Sequence, residues 1–211
     1  MSVSSKLPDV QTLRHIELQE PLYVYARDGR LMGLFGETRR YPVQIEKVPK
    51  RLKDAFIAIE DARFYEHGGL DIVGIGRVVT KLISNPGARV EGASTITQQV
   101  AKNFLLTNER KLERKIKEAI LAVRIENAYR KDKILELYLN EIFLGQNSYG
   151  VTAAAQIYFA KSLEELTLAE TAYLAALPKG PSNLHPVRQK ERAIARRNYV
   201  IDQMADNGHI T

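Results

Sequence analysis

The chain has 211 residues, 45% of them hydrophobic and 27% charged, enough for one packed domain and outside the composition of disordered chains. It contains no cysteine, which excludes a disulfide framework, a thiolate metal site and a cysteine nucleophile together. A net charge of +6 and a pI of about 9.4 favour polyanionic partners: nucleic acid, an anionic membrane surface or a phosphate-bearing substrate.

The elements follow in chain order. No segment has the make-up of a signal peptide or a membrane span; the longest uncharged stretch, Ile142 to Ala160, carries Gln146, Asn147, Ser148 and Gln156, and the chain is expected to be soluble. PLYVYARDGRLMGLFGE alternates weakly about Asp28-Gly29, which predicts a short β-hairpin within residues 1–45. From Pro49 the pattern is helical: Leu52, Phe56 and Ile59 lead into Glu60. Asn85-Pro86-Gly87 breaks the chain, and a polar loop runs to Gly92. The clearest amphipathic helix is Leu112 to Arg130, where Leu112, Ile116, Ile120 and Val123 form one apolar stripe and are expected to face the core. Further helices are expected from Ile134 to Leu144, stopped by Gly145, from Leu166 to Leu177, with Thr167 as cap and Pro178 as stop, and from Val187 to Ala205, closed by Asn207-Gly208. The fold class is mainly α, with a small β element at the N-terminal edge.

Four segments carry candidate chemistry. EDARFYEHGGLD places three acids and a histidine within Glu60–His67, at a helix end that runs into Gly68-Gly69. Glu60 there can serve as a base, with Asp61 and His67 orienting it or binding sugar hydroxyls. The alternative is a solvated helix C-terminus, with His67 near the negative end of the dipole. EGASTITQQVAKNF puts Gly92, Ala93, Ser94 and Thr95 before Gln98, Gln99 and Lys102. It reads both as a surface for a sugar or phosphate and as a helix start capped by Ser94 or Thr95, with Gln98 or Gln99 closing the box. In ERKLERKIKEAILAVRIE, Arg114 and Lys115 share a helix face with Glu118, which leaves surplus positive charge for a phosphate or makes an ordinary surface salt-bridge face. KDKILELYLNEIFLG reads as core with a buried polar bridge at Glu136 or Asn140, and RQKERAIARR as a basic face towards solvent or membrane. The four histidines match no metal-ligand spacing, so no metal site built by the protein is expected.

In this order EDARFYEHGG, GASTITQQVAKN, RKIKE and KILELYLN make the chain resemble the peptidoglycan glycosyltransferases of glycosyltransferase family 51, found in class A penicillin-binding proteins and monofunctional transglycosylases. The motifs span residues 60–140, and AAAQIYFAKSLEELTLAETAYLAALPKGPS extends the likeness to about Ser182. The resemblance implies a lysozyme-like, two-lobed helical domain over residues 46–211, preceded by a linker and hairpin region over 1–45, with a smaller apolar jaw towards the membrane. It implies polymerisation of lipid II into β-1,4-linked glycan with inversion at C1 and release of undecaprenyl diphosphate. Glu60 is then the general base and Glu118 the second acid of the cleft. Asp61, His67, Ser94, Gln99, Lys102, Arg110, Arg114 and Lys115 match substrate-binding positions.

A diphosphate departs as an anion, so transfer needs one base and well-placed cations, whereas hydrolysis of a glycoside needs a second carboxyl group. The residue types therefore favour transfer over the nearest rival, a lysozyme-like lytic enzyme acting on the same polymer. A basic nucleic-acid-binding module has no use for Glu60 or Glu118, and no nucleic-acid partner is expected. A divalent cation, magnesium or manganese, is expected only as a companion of the substrate diphosphate. The expected partners are lipid II, the growing glycan strand and a membrane surface. The resemblance places the full-length protein on the outer, periplasmic face of the cytoplasmic membrane, anchored there and followed by a transpeptidase domain. This chain has no SxxK or KTG motif.

Overall fold

The structure, a computed structural model, describes residues 7–15, 22–28, 31–35, 39–88, 94–107 and 111–211. Among them are eight α-helices: α1 Lys50–Glu60, α2 Ile72–Ser84, α3 Ile96–Leu105, α4 Lys111–Ala128, α5 Lys131–Glu141, α6 Val151–Phe159, α7 Leu168–Ala176 and α8 Lys190–Asp206. Four short strands accompany them: β1 Leu22–Tyr25, β2 Leu31–Phe35, β3 Arg39–Arg40 and β4 Ser148–Tyr149. The mainly helical class expected from the sequence is the one found. Strands β1 and β2 pair antiparallel, as the hairpin reading requires, although Gly29 at its turn lies outside the described residues. The parallel pairing of β3 with β4 is two residues long, too short to leave a periodicity in the sequence.

The chain forms two compact units, one of residues Met1–Ile16 and Ile57–Tyr138, the other of Glu17–Phe56 and Leu139–Thr211. In the second unit α7 and α8 pack together, burying Leu174, Ala175, Ala176, Val200 and Met204. Thr167 caps α7: its hydroxyl accepts from Glu170 N at 3.2 Å, and the Glu170 carboxylate accepts from Thr167 N at 2.8 Å. The Lys161 ammonium, 2.8 Å from Glu170, holds that carboxyl below its usual range. Thr167→Ala is expected to lower stability by about 1 kcal/mol, read as a shift in the thermal unfolding midpoint. Asn140 is the buried polar bridge expected near the end of α5. Its Oδ1 accepts from Val43 N at 2.8 Å and its Nδ2 donates to Val43 O at 2.9 Å, so the side-chain amide pairs with the backbone as a strand neighbour would.

In the first unit α3 and α4 pack together over a core that includes Ile96, Val100, Leu121, Ile125 and Leu135. Here α4 corrects an expectation. Leu112 is 76% exposed, Ile116 and Val123 are exposed as well, and Ile120 is only half-buried. The buried residues of α4 are Glu118, Leu121, Ala122 and Ile125. Those four have i, i+3, i+4, i+7 spacing and, at about 100° per residue, lie nearly opposite the Leu112 stripe. The helix carries two apolar stripes, and periodicity cannot say which one the rest of the chain covers. The covered stripe is the one that begins with a carboxylate.

Candidate active site

Helix α1 ends on Glu60, and the chain then turns tightly, with Phe64 N bonding Asp61 O at 2.9 Å and Glu66 N bonding Arg63 O at 2.8 Å. The turn delivers His67 back to Asp61. Gly69 N donates to His67 Nδ1 at 3.1 Å, which makes Nδ1 an acceptor and leaves the ring proton on Nε2. Nε2 therefore donates to the Asp61 carboxylate, 2.8 and 2.9 Å from its two oxygens. Gly69 must be glycine: its φ is +110°, and a Cβ there would come within 2.8 Å of the Ala122 backbone. The Thr95 hydroxyl seals the turn by donating to Gly69 O at 2.6 Å.

Thr95 is also the N-cap of α3, and Gln98 completes the capping box, so of the two candidates at each position the structure selects Thr95 and Gln98. The first backbone N–H of that helix, Ile96 N, donates to Asp61 Oδ2 at 3.0 Å. A helix N-terminus attracts an anion, and here the chain's own carboxylate fills the place offered to a phosphate by the sequence reading. The side chains of Asp61 and His67 are 2% and 4% exposed. Both are engaged within the protein, as the orienting alternative of the sequence reading requires.

Among the described residues, Glu60 with Gln99 and Glu118 with Arg114, Lys115 and Ser94 make two groups in the same unit. Gln99 Nε2 donates to Glu60 Oε2 at 3.1 Å, so this expected substrate ligand meets the expected base directly; both residues stay half-exposed. Elsewhere Glu118 is 1% exposed, with Lys115 Nζ 2.8 Å from Oε2 and Arg114 Nε 3.3 Å from Oε1. Burial of that depth removes the surface salt-bridge reading. Lys115 Nζ also donates to Ser94 Oγ at 2.9 Å, joining the loop before α3 to α4. Two cations against one carboxylate leave one surplus positive charge. Lys102, in the last turn of α3, is exposed and makes no ion pair among the described residues. Arg110 lies outside the described residues.

Several residues beside the site were not singled out by the sequence. Tyr138 is fully buried, and burial together with the neighbouring Glu60 and Asp61 pushes its phenol well above the ordinary value, so it stays protonated. Thr97 Oγ1 donates to Glu126 Oε1 at 2.7 Å, and Lys131 Nζ donates to the same oxygen at 2.7 Å. Tyr138 and Lys131 sit in KDKILELYLNEIFLG, a segment the spacing marks as core.

A family model described as transglycosylase matches residues 28–205. The chain belongs to the transglycosylase family. It is 52% identical over 209 residues to penicillin-binding protein 1A of Escherichia coli (strain K12), covering 99% of this chain and 24% of that protein. It is 54% identical over 210 residues to penicillin-binding protein 1A of Rickettsia conorii, covering 99% of this chain and 27% of the relative. Among solved structures, the 2.6 Å crystal structure of penicillin-binding protein 1A from Haemophilus influenzae aligns with 93% of this chain and 20% of its own, at a TM-score of 0.50 and 36% sequence identity. The chain thus spans about a quarter of the length of the curated relatives it matches. It is a glycosyltransferase domain of the kind class A penicillin-binding proteins carry, with the helical, lysozyme-like fold of that family. Among the described residues of this transglycosylase domain no group of three or more histidine, aspartate or glutamate side chains is placed to hold a metal ion.

Proposed function

We propose that this domain polymerises lipid II into β-1,4-linked glycan with Glu60 as its single general base. The observation that carries the reading is the unequal state of the three acids. Asp61 is locked to His67 and to the N-terminus of α3, and Glu118 is buried between Arg114 and Lys115. Glu60 alone sits half-exposed at a helix end, aligned by Gln99. A glycosidase needs two working carboxyl groups, whereas transfer from a diphosphate needs one.

In the reaction the 4-hydroxyl of one sugar attacks C1 of the other from the face opposite the diphosphate. The new C–O bond forms as the C1–O bond to the diphosphate breaks; Glu60 takes the hydroxyl proton, and the bonding pair leaves with undecaprenyl diphosphate. Lys102, Arg110 and the surplus charge of the Arg114–Lys115–Glu118 cluster stabilise the charge that develops on the leaving group. Ser94 and Gln99 border the site where sugar and diphosphate meet. A magnesium or manganese ion would enter with the diphosphate and take its ligands from phosphate oxygens.

The same reading places the full-length protein on the outer face of the cytoplasmic membrane, anchored by chain outside this segment and carrying a transpeptidase; the fourfold greater length of the relatives supports further domains. Among the described residues no helix is long and apolar enough to cross a membrane. Helix α2 supports contact with a bilayer surface: none of its residues is buried, and Ile72 and Ile83 are 76% and 75% exposed, with Val73, Ile75, Val79 and Leu82 exposed beside them. Ile72→Asn combined with Ile83→Asn is expected to weaken sedimentation with anionic vesicles several-fold while the unfolding midpoint holds, because exposed positions contribute little to stability.

The test of the function is polymer formation from purified lipid II, followed on a glycan gel. Polymer from this chain supports the reading. Short anhydro-sugars released from finished sacculi, with no polymer from lipid II, overturn it in favour of a lytic enzyme.

A further inference from the structure

Lys131 opens α5 and has no part in the chemistry above, yet its ammonium joins three segments of the first unit. Nζ donates to the His67 carbonyl oxygen at 2.7 Å, across 64 positions of chain, and to Glu126 Oε1 on α4 at 2.7 Å. It also lies 4.5 Å from the centroid of the Phe64 ring. The same Glu126 oxygen accepts from Thr97 Oγ1 in the first turn of α3 at 2.7 Å. The Glu126 side chain is 8% exposed and that of Lys131 21%, so the cluster is largely withdrawn from water. A lone Glu126 there would be a poorly solvated charge, and a lone His67 carbonyl an unsatisfied acceptor.

The turn held in this way is the one that follows Glu60. The turn is also tied to α3 at both ends, by Ile96 N donating to Asp61 and by the Thr95 hydroxyl donating to Gly69 O. We propose that Lys131 is a positioning residue for the reaction: its ammonium pins the turn that carries the base against α3 and α4 and so fixes the direction from which the Glu60 carboxylate meets the acceptor hydroxyl. A base misplaced by about 1 Å loses on the order of a hundredfold in rate, so the anchor acts on turnover more than on binding. The inference rests on Glu60 being the base.

Because the chain contains no cysteine, Lys131→Cys can be aminoethylated at a single site, which returns an ammonium at nearly the length of lysine. Lys131→Cys is expected to lower kcat for lipid II polymerisation roughly ten- to a hundredfold with KM within about twofold, and aminoethylation to restore most of it. Lys133→Met, which removes only the pairing with Glu136, is the control and keeps parental kcat. Amide hydrogen exchange supplies a reading independent of activity. Gly69 and Ile96 should exchange on the order of tenfold faster in Lys131→Cys and slow again on aminoethylation. Parental exchange at both amides, or a loss of kcat no larger than the loss of folded fraction, overturns the proposal. If the parent chain makes no polymer, the function proposed above fails, and the exchange measurement still decides whether Lys131 anchors the turn.

Discussion

Glu60→Gln should abolish glycan polymerisation, lowering turnover by about 10² to 10⁴ while the unfolding midpoint stays within the scatter of a surface substitution. The substitution keeps the size of the side chain, and its amide oxygen can still accept from Gln99 Nε2, which lies 3.1 Å from Glu60 Oε2 in the parent. What it removes is the capacity to take a proton. Binding of the diphosphate should persist, since Lys102, Arg114 and Lys115 are untouched, so KM should move much less than kcat. Near-parental turnover in the variant would show that another group accepts the hydroxyl proton. The described alternatives are poor: Asp61 is bonded to His67 and Ile96 N, and Glu118 is enclosed by two cations.

The parts of this molecule legible in its sequence are those written in short-range spacing. The Thr95–Gln98 box spans four residues, as does the Thr167–Glu170 box; Thr167 caps α7 as the pattern reads, though the helix begins at Leu168 and not Leu166, and Thr95 is one of the two caps the pattern offers α3. Gly208, with φ of +75°, follows the last helix as a closing glycine should. The face shared by Arg114, Lys115 and Glu118 was likewise readable from helical geometry. Its burial was not, because α4 carries apolar residues on opposite sides and the choice between them is made by α3 and the turn after Glu60. The same limit left two roles open for Asp61, orienting the base or binding a sugar. Only the fold brings Ile96 N, 35 positions away, to within 3.0 Å and makes the carboxylate an internal cap. Lys131 and His67 are further apart still, and nothing in KDKILELYLN announces that its first lysine reaches a backbone carbonyl beside the base.

That internal cap makes the second large prediction. Asp61→Ala should cost roughly 2–5 kcal/mol of stability, because it leaves two buried donors, His67 Nε2–H and Ile96 N–H, without acceptors. Asp61→Asn should be milder but still harmful. With its oxygen in the place of Oδ2 it can still accept from both donors, but its NH2 then stands in the place of Oδ1, 2.9 Å from His67 Nε2–H, donor against donor. The histidine cannot relieve this by moving its proton to Nδ1, because Nδ1 accepts from Gly69 N. Both variants should lose more turnover than their folded fraction accounts for, since the turn they loosen carries Glu60. Thermal unfolding and polymerisation of the same samples separate the two effects. Were Asp61→Asn as stable and as active as the parent, the carboxylate would not be the clasp of the turn, and the assignment of the Nε2 proton would fail with it. A third result is also informative: parental stability with lost turnover would assign Asp61 to the substrate, the other of the two roles its place beside Glu60 allows.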